Sequence, residues 1–161
     1  MSTQKITPCL WFDGQAEDAA KFYTGIFKNS KIVTVTRYGE AGREFHQKKP
    51  GSVMTVEFEL DGQAFTALNG GPLFKFNEAV SFQVDCATQQ EVDHFWDKLS
   101  AGGAPSQCGW LKDRYGMSWQ VVPSMLPQLL TDPAKAERVM TALMSMTKLD
   151  IAALQAAADG K

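Results

Sequence analysis

The sequence is poor in the residues that mark several large classes of protein. It has three cysteines and two histidines in 161 residues. Cys9, Cys86 and Cys108 are odd in number, far apart and never in a C-x-x-C pair, which argues against a disulfide framework and a zinc site. We therefore expect reduced and mostly buried thiols.

The sequence also lacks a large excess of one charge sign and long hydrophobic runs. Sixteen Lys and Arg residues against 18 Asp and Glu residues give a net charge of −2, so no basic field is available to hold a nucleic acid. The sequence has no run of about 18 apolar residues, and its start, MSTQKITPC, lacks the order of a secretory signal. We expect a cytoplasmic protein with neither a nucleic-acid nor a membrane partner.

Composition indicates one globular domain with a helical tail. A chain of 161 residues, 44% hydrophobic and 21% charged, is long enough for one full core and short for two. We predict a single domain over residues 1–126 and a C-terminal helical extension over residues 127–161. Asp132 and Pro133 are a typical helix start, and residues 149–158 predict another helix. These helices either cover their own chain or pack on a second subunit.

What the chain does contain is an internal repeat. Residues 13–23 (DGQAEDAAKFY) are echoed by residues 85–96 (DCATQQEVDHFW), and each segment follows an apolar stretch and carries an aromatic pair in a predicted helix. Periodicity and turn residues predict the order β-α-β-β-β twice, in modules of about residues 5–70 and 78–123. The predicted strands are residues 6–12, 31–38, 53–60, 63–68, 79–84, 104–108, 110–112 and 117–122. A polar loop over residues 39–51 is peculiar to the first module, and such loops often cover a binding site.

The last strands of the two modules correspond residue by residue. Thr66 and Gln120 each lie four positions after the glycine of a turn, Gly62 or Gly116. Because side chains alternate along a strand, four neighbours in phase share their face, namely Ala64, Leu68, Ser118 and Val122. This face is expected to be mildly polar and uncharged. Phe65 and Trp119, one residue out of phase, are expected to pack against the helices.

The repeat resembles the vicinal oxygen chelate superfamily of glyoxalases, bleomycin-resistance proteins and extradiol dioxygenases. Residues 109–120 (GWLKDRYGMSWQ) are similar to the closing motif of its PhnB-like branch, the 3-demethylubiquinone-9 3-methyltransferase domain. Residues 6–12 (ITPCLWF), with Ala19, Phe22 and Tyr23, fit the same branch. The resemblance implies an α+β fold in which two tandem βαβββ modules form a cupped mixed sheet, followed here by C-terminal helices. It also implies a homodimer.

Enzymes of this superfamily hold a divalent metal that activates two vicinal oxygens of the substrate. Histidines of the first strands and glutamates of the last strands are its usual ligands. Carried over, these positions fall at Thr7 or Pro8, at about residues 79–81, and at Thr66 and Gln120. Since these residues do not replace the usual ligands, we predict no metal ligands and no cofactor.

The methyltransferase label is not supported by the local sequence. An S-adenosylmethionine enzyme of the Rossmann type needs a Gly-rich turn between a strand and a helix. The sequence offers no such segment, because residues 69–72 (NGGP) lead through a loop to another strand. Methyltransferase activity is therefore not expected.

The resulting hypothesis is a small-molecule binding protein with an unidentified ligand and no assigned catalytic residue. The predicted ligand-binding residues are Thr66, Asn69, Ser118, Gln120, Trp110 and Trp11. The two tryptophans are either core residues or surfaces for stacking a flat ligand. Two other functions stay open: a metal-dependent lyase or dioxygenase with displaced ligands, and an interaction or regulatory protein whose interior is filled by its own side chains.

Several polar residues outside this set have two interpretations each. His94 is expected to be exposed on its helix, and His46 is either a solvated loop residue or a group that the loop delivers to an anionic ligand. Lys112, Asp113 and Arg114 are either a solvated hairpin end or an ion-paired rim.

Overall fold

Two copies of the order β-α-β-β-β follow one another along the chain. The computed structural model describes residues 4–161, which form two units, one ending at Lys75 and the other spanning Phe76–Lys161. The first unit contains β1 (Cys9–Phe12), α1 (Ala16–Thr24), β2 (Lys31–Arg37), α2 (Arg43–His46), β3 (Val53–Leu60) and β4 (Gln63–Asn69). The second contains β5 (Ser81–Cys86), α3 (Gln89–Ser100), β6 (Ala104–Pro105), β7 (Trp110–Lys112), β8 (Ser118–Pro123) and the tail helices α4 (Leu126–Thr131), α5 (Pro133–Met144) and α6 (Ile151–Ala158).

Each unit has one four-stranded mixed sheet. The strand orders are β1-β4-β3-β2 and β5-β8-β7-β6. In both sheets the first strand runs parallel to the last strand of its module, and the remaining pairs are antiparallel. The predicted α+β class and the two tandem βαβββ modules are confirmed. The strands β1 and β6 are shorter than predicted, and β5 has the predicted length but begins and ends two residues later. No helix among residues 4–161 is long and apolar enough to cross a membrane.

The core of the first unit lies between α1 and its sheet. Alanines on the buried face of α1 allow the helix to lie close to the strands, and Tyr23 completes that face. The rings of Tyr23, Phe58 and Phe65 form a stack with centroid separations of 6.2 and 5.5 Å. Phe65 thus faces the helix side of the sheet, as the alternation along β4 predicts.

In the second unit α3 has the same position. The Thr88 side chain accepts a hydrogen bond from the Glu91 backbone N–H and so caps the helix. Val92, Trp96 and Leu99 are buried, and Trp119 of β8 is buried on the helix side. The predicted orientation of Trp119 is therefore confirmed.

The hairpin before β8 is built on a buried carboxylate. Asp113, only 3% exposed, accepts hydrogen bonds from the backbone N–H groups of Tyr115 and Met117 and from Trp119 Nε1, at 2.8, 3.1 and 2.9 Å. The interpretation of Asp113 as part of a solvated hairpin end is wrong, because this turn leaves three N–H groups that need an acceptor. Arg114, the next residue of this hairpin, donates from Nε to the Ala101 carbonyl at 3.2 Å.

The tail helices pack against their own chain. Their apolar side chains form a cluster with partly buried neighbours of the sheet, Val122 and Cys108. The backbone N–H groups of Cys108 and Gly109 donate to the carbonyls of Met146 and Thr147, at 2.8 Å each. Gly109 has a φ of +82°, and a Cβ there would lie 2.9 Å from the Val121 carbonyl oxygen, so this contact requires glycine.

Replacing Asp113 tests the role of this carboxylate. The substitution Asp113→Ala leaves the Trp119 indole N–H and two backbone N–H groups without their acceptor in a buried turn. We expect the free energy of unfolding to fall by about 2 to 4 kcal/mol. Urea denaturation measures the loss, and Asp97→Ala on the exposed side of α3 is the control, with a change of about 0.5 kcal/mol or less. Equal effects of the two substitutions would show that Asp113 does not organise the hairpin.

Candidate functional site

Each sheet has one face packed against α1 or α3 and a second face turned away from that helix, which we call the open face. On the second sheet this face is partly covered, because the tail helices pack against Val122. Strand register identifies its members, because paired residues on neighbouring strands point to the same side. On the first sheet Thr66 pairs with Cys9 of β1 and with Glu57 of β3. On the second sheet Gln120 pairs with Gln83 of β5 and with Trp110 of β7.

Glu57 changes the expected chemistry of the first open face. Its side chain lies on the same face as Thr66 and is exposed, so the face is not uncharged as predicted. The two-residue turn between Leu60 and Gln63 sets the register of β3 and β4, which makes Glu57 the partner of Thr66. This turn is therefore the signal in the sequence that identifies Glu57 as a residue of this face.

Trp11 lies on the first open face but is held by the chain that follows β4. Its Nε1 donates to the Gly71 carbonyl at 2.8 Å, and its ring meets Phe74 edge-on at 4.9 Å. A Cβ on Gly70 would lie within 2.2 Å of the ring, so the backbone passes directly over it. Trp11 is half-buried, and part of its ring is already covered by this contact.

Asn69 lies on the opposite side of β4 from Thr66. Three positions separate the two residues, so alternation places Asn69 on the helix side, where it is only 6% exposed. Its Oδ1 accepts from the Ala16 backbone N–H at 2.9 Å and its Nδ2 donates to the Val53 carbonyl at 3.0 Å. Asn69 therefore caps α1 on the side of β4 opposite Thr66, and it also lines the smaller cavity of the first unit.

The second open face brings three predicted site residues together. Trp110 is half-buried directly opposite Gln120, and Gln120 Nε2 donates to Ser81 Oγ at 2.9 Å. One step along the strands, Ser118 lies opposite Lys112. This row of hydroxyl, amide, indole and ammonium groups belongs entirely to the second unit.

A cavity of about 530 Å³ opens beside this row. Its lining combines the edge strands with the segment before β7, namely Glu78, Ala104, Pro105, Ser106, Gln107, Cys108, Trp110, Leu111, Lys112 and Ser118. Ser118 is 1% exposed, and its Oγ has no hydrogen-bond partner among residues 4–161. Since buried hydroxyls nearly always have a partner, Ser118 is a polar group of the cavity lining whose hydrogen bond the described chain does not supply.

An ion pair lies at the same cavity. Lys112 Nζ and Glu78 Oε1 are 2.5 Å apart, with side-chain exposures of 42% and 61%. The hydrogen bond from Lys112 is the main reason that the pKa of Glu78 is lowered. Lys112 is thus ion-paired, as one of its two interpretations has it, and its exposure agrees with the other, a solvated hairpin end.

The loop over residues 39–51 borders a smaller cavity, of about 320 Å³, in the first unit. Its lining includes Tyr38 and Lys48 together with carboxylates of the α1 region. The His46 ring packs against Tyr38 with centroids 4.6 Å apart and planes tilted by 35°, and its Nδ1 accepts from the Lys48 backbone N–H at 2.9 Å. His46 thus serves the packing of its own loop, while His94 is exposed on α3 as expected.

Comparison with known proteins decides the family. Residues 4–122 match the family described as 3-demethylubiquinone-9 3-methyltransferase. The chain belongs to this family, the PhnB-like branch of the vicinal oxygen chelate superfamily. Its fold matches a Bacillus cereus PhnB protein carrying the same description, with 39% identity and a TM-score of 0.66 over 74% of this chain and 99% of that one. No curated protein matches the sequence.

More distant structures share the fold alone. A Pseudomonas aeruginosa protein, 17% identical, gives a TM-score of 0.60 over 75% of this chain and 98% of its own. The fosfomycin resistance protein FosX from Listeria monocytogenes, in a structure with Mn(II) and sulfate, is 15% identical with a TM-score of 0.52 over 81% of this chain and 98% of its own. The PhnB-like chain therefore has the architecture of a superfamily that includes a metal-binding member.

The residues of the PhnB-like chain do not fit the metal site that the superfamily implies. Thr66 and Gln120 lie on the open faces, but a hydroxyl and an amide replace two carboxylates there. Pro8 offers only its carbonyl, which accepts from the Thr66 backbone N–H at 2.9 Å. Across residues 4–161, no three His, Cys, Asp or Glu side chains are grouped to hold a metal ion.

The cysteines differ from one another more than the sequence indicates. Cys86 is fully buried, whereas Cys9 is exposed and Cys108 is partly exposed, and none of the three is in a disulfide in the described structure. Burial, with smaller contributions from Glu91 and Asp85, raises the pKa of Cys86 to about 12. The expectation that the thiols are mostly buried is wrong, because only Cys86 is buried.

The raised pKa of Cys86 predicts a loss of stability at alkaline pH. The unfolded thiol ionises from about pH 8.5 while the folded thiol stays protonated, so its stabilising contribution is present below that pH and is lost as the pH rises toward the folded pKa. Urea denaturation between about pH 8 and pH 10.5 should show a shallower decline for Cys86→Ala than for wild type. The control Val84→Ala removes packing on the same side of β5 and should keep the wild-type slope. Identical slopes for all three proteins would contradict the prediction.

Proposed function

We propose that this PhnB-like protein binds a small molecule in the cavity of its second unit, without a resident metal ion. The observation that carries the proposal is the buried Ser118 hydroxyl in the cavity wall, unpartnered within the described part of the chain. A buried polar group without a partner costs stability, and a ligand that supplies the partner recovers it.

The shape and lining of the cavity support this proposal. Its volume of about 530 Å³ lies in the range of small-molecule sites. Among the lining residues, the half-buried Trp110 offers a flat aromatic surface, and Lys112 and Ser118 offer polar groups. Gln120, the partner of Trp110 on β8, is fixed by its hydrogen bond to Ser81 and lies outside the lining. An indole for stacking and a few fixed polar groups for orientation are the usual composition of such sites.

The metal-free part of the proposal depends on donor chemistry. Thr66 and Gln120 stand where glutamates are usual, and Trp110 rather than a ligand faces Gln120. Metal analysis of the purified protein tests this part. Stoichiometric metal that is lost in Gln120→Ala would refute it.

The proposal also includes a homodimer in the cytoplasm. Exposed methionines on α5 support a subunit interface, since Met140 is 42% and Met144 63% exposed. Sedimentation equilibrium distinguishes monomer from dimer.

Ser118→Ala separates stability from binding. Without a ligand, removing the unpartnered hydroxyl should raise the free energy of unfolding by about 1 kcal/mol. The same variant should bind more weakly every compound that shifts the wild-type melting temperature in a metabolite screen. Thermal shift and isothermal titration provide the two measurements.

Ser81→Ala is the matched control, because its hydroxyl has a partner in Gln120. That substitution should lower stability by about 0.5 to 1.5 kcal/mol. If Ser118→Ala also destabilises and leaves the binding of screened compounds unchanged, the cavity is not the ligand site.

A further inference from the structure

The ion pair at the cavity gives the site a charge preference. Lys112 and Ser118 are paired residues on β7 and β8 and therefore lie on one face, and both line the cavity. An ammonium group and an unpartnered hydroxyl in the described structure thus lie at the same wall, two residues along β7 from the Trp110 indole. Both groups donate hydrogen bonds, so together they favour an acceptor that carries negative charge.

Glu78 already provides a carboxylate at this position. Its Oε1 lies 2.5 Å from Lys112 Nζ, so the cavity contains an acid bound by its own lysine. Both side chains are substantially exposed, and an exposed ion pair of this kind contributes little to stability. Exchange of Glu78 for an external carboxylate is therefore inexpensive.

The corresponding pair in the first module shows what is particular to this site. Ala64 occupies the position of Ser118, two residues after the turn glycine, and its partner across the strands is Glu59. Glu59 pairs with Lys31 at 3.6 Å. In the first module the strand residue of the ion pair is thus the acid, Glu59, where the second module has Lys112. The methyl group of Ala64 stands where the second module has the Ser118 hydroxyl. The combination of ammonium, hydroxyl and indole belongs to the second module.

We propose that the cavity selects small carboxylates with a flat apolar body. Such a carboxylate displaces Glu78 from Lys112 and accepts a hydrogen bond from the Ser118 hydroxyl. The inference rests on the proposed function, because it names the ligand class of that site. The carboxylate takes the hydrogen bonds of Lys112 and Ser118, and the flat body lies against Trp110. A neutral isostere leaves Lys112 paired with Glu78 and gains no charge-assisted hydrogen bond, so it is disfavoured relative to the acid.

Matched acid and amide probes test this selectivity. The compounds are 2-naphthoate and 2-naphthamide, which share their ring system and differ in charge. Titration of the ¹⁵N-labelled full chain is followed at the Trp110 indole N–H signal, assigned with Trp110→Phe. We expect the acid to bind roughly tenfold more tightly than the amide. Raising the salt concentration to about 0.5 M should weaken binding of the acid selectively.

Three variants assign the selectivity to its residues. Lys112→Met should bring the affinity for the acid down to that for the amide. Glu78→Gln should tighten binding of the acid several-fold, because the lysine loses its internal partner. Lys31→Met, which breaks the equivalent pair in the first module, is the control and should leave both affinities unchanged.

The outcomes distinguish this inference from the proposed function. If both probes shift the Trp110 signal with equal affinity, or Lys112→Met keeps the preference for the acid, the charge selectivity is wrong while binding at the cavity stands. If neither probe shifts that signal and the metabolite screen also yields no compound sensitive to Ser118→Ala, both the selectivity and the proposed function are wrong.

Discussion

The alternation of side chains along β4 and β8 determines what this protein can present to a ligand. Each strand must bury alternate residues against its helix, and Phe65, Ala67, Trp119 and Val121 do so. The residues in the other phase are then fixed on the open face, whatever their chemistry. Ser118 and Gln120 lie there because Trp119 has to be inside. The Asp113 carboxylate secures this register, since it holds the Trp119 indole and the backbone of the turn together.

The same constraint explains how far the sequence predicts the structure. The strands β3 and β7 have the predicted bounds, β2 ends one residue earlier than its alternation predicts, and the inward orientation of Phe65 and Trp119 follows from counting by two. The common face of Ser118 and Gln120 follows from the same rule, whereas the side of Trp110 follows only from its pairing with Gln120, which the sequence leaves open. The repeat can be recognised in the sequence because both modules bury residues at the same spacing, every second residue in strands and every third or fourth in helices.

Interactions that depend on one side chain and a distant backbone group were not predictable in this way. Asn69 and Asp113 are polar residues beside turns, and exposed polar residues have the same local pattern. Asn69 is buried because the Ala16 backbone N–H needs an acceptor, and that N–H lies 53 positions away in the sequence. Glu78 likewise meets Lys112 only through the folding of the second unit. Glu57 is a different case, since the hairpin register that places it opposite Thr66 is encoded by the turn.

Family membership does not determine the function of this site. The PhnB-like chain shares its fold with a FosX structure that contains Mn(II), and it has a hydroxyl and an amide at the positions where the resemblance implies carboxylates. A fold preserves positions rather than activities, so the function has to be argued from the groups that now occupy them. The second module has a buried hydroxyl, Ser118, beside a lysine that is ion-paired with Glu78. The first module has Ala64 at the same position, so a βαβββ module forms without this hydroxyl. Because the fold does not require a hydroxyl there, the chemistry of Ser118 and Lys112, rather than the shared backbone, is the basis for the proposed binding function.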